Sequence, residues 1–179
     1  MNRVGILVAV GVAAALTAVA GAPSAPPPPS VHGAGWIAYT DFPSAGETTV
    51  EHLALSARIG PDGDPQGTIV GHSPFGDSYA EVTCLVQQDE KTVYVGGRIT
   101  RGFTYLGQEM SHIAFGIEDN GQGRSAPDLV AGAIFRARPD RPPDFDPCAR
   151  LLPFPPFYAV ERGNFVVGTG PTVGARVVD

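Results

Sequence analysis

Basic charge is what this sequence has least of. It holds a single lysine, Lys91, and its Lys and Arg together number 12 against 18 Asp and Glu, for a formal net charge of −6. No basic stripe is available to neutralise phosphates, which argues against nucleic-acid binding, and an anionic membrane surface is equally unsupported. Helical periodicity is missing too, because no long segment outside the N-terminal leader spaces its apolar residues at i, i+3, i+4. The four histidines, His32, His52, His72 and His112, occur singly. Without His-x-His or H-E-x-x-H spacing they read as surface or satisfied residues.

What is abundant is turn chemistry. Gly 23 and Pro 18 together run at roughly twice average usage. Between the turns lie short β-branched runs, so the composition points to strands. The chain of 179 residues, less a leader, is one domain's worth and can bury a core of its own.

The leader sets the compartment. Arg3 gives a short positive n-region, Val4 to Ala20 is apolar, and Ala18-Val19-Ala20 fits the small-x-small cleavage pattern. The sequence therefore predicts a cleaved signal peptide over 1–20, a secreted or envelope location, and no stable membrane span after cleavage. Residues 21–32, with Pro26 to Pro29, read as an extended spacer. A single β-domain is expected over 33–167 and a loose tail over 168–179.

The domain is organised around Tyr79 to Asp119, three consecutive strands in period-two alternation. Val82, Cys84 and Val86 are expected on one face of the first. Val93, Val95 and Ile99 follow in the second, and Ile113, Phe115 and Ile117 in the third. Gly96-Gly97 inside the second marks a bulge, a bend or a close approach. Outside the centre, Trp36 to Tyr39 opens the fold after a flexible Gly33-Ala34-Gly35. Thr49 to Ile59 is a clear strand, with Leu53, Leu55, Ala57 and Ile59 on one face and His52, Ala54, Ser56 and Arg58 on the other. Gly67 to His72, Asp128 to Ala137 and Phe157 to Val167 complete the set, the last broken at Arg162-Gly163-Asn164. About eight short sequential strands favour an antiparallel barrel or a barrel-like sandwich; the pattern does not separate the two. Between the last two strands, 138–156 carries seven prolines and reads as a long irregular loop.

Cys84 and Cys148 are the only cysteines. In an exported chain they are expected to pair, pinning the proline-rich loop to a core strand with a chain-entropy contribution of roughly 4 kcal/mol.

No catalytic motif is complete. Gly71-His72-Ser73-Pro74-Phe75-Gly76 resembles a nucleophile elbow but has the second glycine one residue late, a proline after the serine and no helix behind it. Tyr94, Arg98 and Arg101, with Tyr105 beyond, give the second central strand an aromatic and cationic face. Tyr94, Arg98 and His112 are thus the candidate ligand contacts, against the alternative of a solvated outer face. Asp62 with Asp64, and Asp119 with Asp128, are loop aspartates that could hold calcium or cap turns. Asp119 and Asp128 are the candidate metal residues, and no other cofactor is implied. The resulting reading is a non-catalytic binding or envelope-interaction module for an unidentified small ligand or envelope component. Two alternatives stand beside it: a small hydrolase assembling Glu81, Glu109, Glu118 and His112 from separate strands, and a calcium-stabilised structural protein. Oligomeric state is not encoded in any pattern found.

The order of Gly35, Gly60-Pro61, Gly67, Cys84, Val95-Gly96, Asp119-Asn120-Gly121 and Asp128 resembles the repetin-like or post-COAP-type domains, small exported bacterial β-domains of uncharacterised function. The likeness spans roughly residues 33 to 167 and departs at the proline-rich insertion holding Cys148. It implies an all-β exported domain and carries no catalytic residues to transfer.

Overall fold

The computed structural model describes residues 27–39, 48–101, 103–105, 107–121, 126–138, 145–151 and 158–168. The leader, most of the proline-rich loop and the C-terminal tail lie outside them. Among the described residues every regular element is a strand: β1 Ser30–Tyr39, β2 Thr49–Ile59, β3 Pro65–Ser73, β4 Gly76–Gln87, β5 Thr92–Arg101, β6 Thr104–Tyr105, β7 Gln108–Glu118, β8 Leu129–Arg136 and β9 Tyr158–Gly168. None of the described residues forms a helix long and apolar enough to cross a membrane.

Apart from β5 and β6, each strand pairs antiparallel with its sequence neighbours, β5 pairs with β7, and β9 returns to β1. The sheet therefore closes on itself as an eight-stranded antiparallel barrel, with β6 a short arm hairpinned onto β7. Closure pairs the strand edges with one another. Alternation then sorts the side chains. Val31, Ile37, Leu53, Leu55, Ile69, Val93, Val95, Ile113, Phe115, Ile117, Val130 and Phe165 form the buried core cluster.

Three details depart from the expected pattern, each for a packing reason. First, β1 begins at Ser30, so Gly33-Ala34-Gly35 is strand and not flexible lead-in. The two glycines accept the Phe165 ring: a Cβ would stand 3.0 Å from it at Gly33 and 3.2 Å at Gly35. Second, β4 slips register between Val82 and Cys84. This bulge leaves Val82 in the core but turns Cys84 and Val86 to a second cluster, while Leu85 takes the inward place. The sequence alternation put all three on one face, and the extra residue Thr83 is what breaks it. Third, the expected interruption of β9 is a register shift opposite Trp36 and Ile37, with Gly163 at φ +108°.

The bulge gives the disulfide its place. Cys84 and Cys148 are bonded, 64 residues apart in sequence. Residues 145–151 thereby lie on the outside of β4, β5 and β7, where Cys148 and Leu151 are fully buried with Tyr94 and Ala114. Gly96 makes the fit: a Cβ there would meet Cys84 Sγ and the Pro147 ring, each at 2.8 Å. Asp146 caps the turn, its Oδ1 accepting from the N–H of Cys148 at 2.8 Å and of Ala149 at 3.3 Å.

The seam between β8 and β9 is closed differently. Among the described residues, only Leu129 with Ala159 and Val130 with Tyr158 pair there. Around the start of β8, two carboxylates take up backbone N–H groups. Asp128 accepts from Asn120 N at 3.0 Å and Phe165 N at 2.7 Å, and Asp119 accepts from Gly121 N at 2.8 Å and Val167 N at 3.0 Å. Asp128 is 3% exposed. Asp128→Asn keeps the shape but leaves one N–H facing an amide donor. We expect a loss of about 2 kcal/mol in urea unfolding; a change within 0.5 kcal/mol, the ordinary range of a surface substitution at about that size, would show that the seam does not depend on it.

Candidate functional site

Beside the later half of β8, the described residues of the barrel interior enclose a cavity of about 230 Å³. Met110, Ile113, Phe115 and Ile134 supply apolar walls, and Arg136 stands at the rim. Into this wall project two polar side chains, Tyr39 from the end of β1 and Glu51 from the start of β2. Both occupy inward positions. Tyr39 continues the face of Ile37, and Glu51 continues the face of Leu53 and Leu55.

Glycines on other strands make the room. A Cβ on Gly71 of β3 would lie 2.6 Å from both Glu51 Oε1 and Ser78 Oγ. A Cβ on Gly132 of β8 would lie 2.9 Å from the Phe115 ring and 3.5 Å from the Tyr39 hydroxyl. The Tyr39 ring is held edge-on against Tyr158, centroids 4.9 Å apart. Behind Glu51 a recess of about 20 Å³ includes Ser78 and Phe103, enough for one water.

The electrostatics follow from this setting. Burial pushes the Glu51 carboxyl up to about 7, and the hydrogen bond with Tyr39 only partly offsets it. Burial, then the charge and hydrogen bond of Glu51, push the Tyr39 phenol well above its usual range. Near neutral pH the Glu51 side chain thus exchanges between a carboxylate that only accepts and a carboxylic acid that donates as well. The arrangement is an apolar chamber with one switchable hydrogen-bonding point.

The residues singled out from sequence lie elsewhere. Tyr94 is 3% exposed beneath the disulfide-held loop; burial, with the charge of Asp89, pushes its phenol up. Arg98 is on the outer face, 3.8 Å from Glu81 in an exposed ion pair. His112 is its register partner on β7, packed edge-on to Phe145 at 5.0 Å with Nδ1 2.9 Å from Ser111 Oγ. These three share the outside of β5 and β7 and do not line the cavity. Asp119 and Asp128 commit all four carboxylate oxygens to backbone N–H groups, as described above, which is the capping role and needs no ion. Glu81 and Glu109 are exposed on the surface and Glu118 is partly buried; none of the three lines the cavity. Asp146 lies beside both cysteine sulfurs, but a disulfide offers no thiolate to a metal. In the turn after β2, Asp62 Oδ1 accepts from Asp64 N at 3.2 Å.

Comparison with known proteins returned no matching family model, no matching curated protein and no matching solved structure.

Proposed function

We propose that this barrel is an exported binding module that takes a small, mainly apolar molecule carrying one hydrogen-bonding group, seated in the cavity against Glu51 and Tyr39. The observation that carries this reading is a carboxyl group, paired with a tyrosine, on the inner wall of a mainly apolar chamber. A buried carboxyl is costly, and the fold spends two glycines, Gly71 and Gly132, on the space around it and its tyrosine partner. A largely apolar pocket with few converging polar groups is the usual form of a small-molecule site. An engineered apolar cavity of about 150 Å³ takes benzene, so a volume of about 230 Å³ suits a somewhat larger ring system. Export is supported by the leader, by the resemblance to exported β-domains, and by a disulfide, which persists in oxidising compartments.

The test uses 2-naphthol, an apolar bicycle with one hydroxyl. The wild-type protein is expected to bind it saturably by fluorescence at pH 7. Ile134→Trp, which fills the chamber from its wall, is expected to abolish binding, and Glu51→Leu to weaken it about tenfold, the effect of one lost hydrogen bond to a charged or ionisable group. Equal binding by wild type and Ile134→Trp would place the probe outside the cavity and overturn the reading.

A further inference from the structure

The outer face of the barrel carries a second constellation that owes nothing to the cavity. Trp36, His52 and His72 hold successive register positions on β1, β2 and β3. Their rings form a row, with Trp36 and His52 centroids 4.9 Å apart, and His52 and His72 6.1 Å apart with planes within 16°. Asp77 on β4 is the register partner of His72, and its Oδ1 lies 2.8 Å from His72 Nδ1. A carboxylate in that position holds the proton on Nδ1, which leaves the lone pair on Nε2. The side chains of His72 and Asp77 are 45% and 57% exposed, so an ion reaches them from solvent.

We propose that His52 and His72 form a surface site for a late first-row divalent cation, with Asp77 orienting His72 from behind. Three features point to a metal. The histidines are direct cross-strand partners, whose Cβ atoms stand about 4.5–5.5 Å apart. Metal bonds to imidazole are about 2.0–2.1 Å, so rotation of the exposed His72 ring and the partly buried His52 ring would bring both Nε2 atoms toward one ion. The carboxylate behind His72 reproduces the support that metal-bound histidines ordinarily have. Two neutral imidazoles suit zinc, nickel and copper, with copper(II) held most tightly, and the remaining coordination positions go to water or to an incoming ligand. Asp77 is a positioning residue here and not a ligand.

The protein supplies its own reporter, because Trp36 is the only tryptophan and touches the His52 ring. Copper(II) added alone to the full-length protein is expected to quench Trp36 fluorescence saturably, and a large excess of zinc to reverse the quench by competition. His52→Gln and His72→Gln are each expected to raise the copper midpoint at least about tenfold, and the double variant to lose the saturable phase. Asp77→Asn, which keeps the shape and loses the charge, is expected to raise the midpoint roughly tenfold. His32→Gln, on the same face of β1 but opposite Ser56, is expected to leave it unchanged. All four positions are at or near the surface, and matching circular-dichroism melts show that the variants fold. An unchanged midpoint in the double variant would mean that copper sits elsewhere, and would overturn the proposal; so would the absence of any saturable quench in the wild type.

Discussion

Removing the disulfide is expected to cost the protein about 4 kcal/mol. Cys84 and Cys148 close a loop spanning 64 positions, and the chain-entropy model assigns roughly 4 kcal/mol to a loop of that length. For a domain of this size that is a fall of about 10–15 °C in Tm. The double variant Cys84→Ala/Cys148→Ala is the clean comparison, because it leaves no lone thiol in the buried second cluster. The strand ladders do not involve either sulfur, so the far-ultraviolet spectrum is expected to remain that of a β-protein. The local effect is larger than the global one. Residues 145–151 are held to the barrel by Cys148, Leu151 and the rings of Phe145 and Phe135, 5.2 Å apart. Without the bond, trypsin is expected to cut after the exposed Arg150 well before the barrel unfolds. Unchanged melting and cleavage would show that the apolar contacts hold this segment unaided.

Glu51→Gln is expected to stabilise the protein at pH 8. Burial pushes the folded carboxyl up to about 7, against an ordinary value of 4.5 in the unfolded chain. A raised acid pKa means that the folded state binds the extra proton between those values. The stability associated with this group is thus complete below about pH 4.5 and is lost as pH rises through about 7. The difference across that window is about 3 kcal/mol at most, reduced by whatever water reaches the partly buried group. Glutamine keeps a hydrogen-bond partner for Tyr39 and carries no charge. The stability of wild type minus variant, from urea unfolding at pH 5, 6, 7 and 8, is expected to fall steadily, other titrating groups cancelling in the subtraction. Parallel curves would show that Glu51 is ionised and solvated in the folded protein throughout.

The core was readable wherever alternation ran unbroken. Leu53, Leu55 and Ala57 on β2, and Ile113, Phe115 and Ile117 on β7, sit where period two places them. Glu51 was on the same stripe, two residues before Leu53, and Tyr39 two after Ile37. The face of each was therefore legible. Their burial was not, because it depends on Gly71 and Gly132, glycines on other strands that leave space. Cys84 faces outward because of the bulge at Thr83, whose one trace in the sequence is the glycine pair on the neighbouring strand. The cap of Asp119 on Gly121 was legible as turn chemistry, but the reach of Asp119 and Asp128 to β9 was not, because Val167 and Phe165 lie 48 and 37 residues away. His52 and His72 looked solitary for a related reason. Twenty residues of sequence separate them, and only the register of the β2–β3 hairpin, set by the turn around Asp62, brings them opposite one another.

The function proposed above requires that the barrel hold Glu51 against an apolar chamber able to receive a ligand. A carbon-13 NMR titration of the Glu51 carboxyl, assigned by its loss in Glu51→Gln and run with and without saturating 2-naphthol, reads that environment at the atom concerned. An inflection near pH 7 that moves when the probe is added is the predicted result. An inflection near 4.5, the same with and without the probe, would contradict the account.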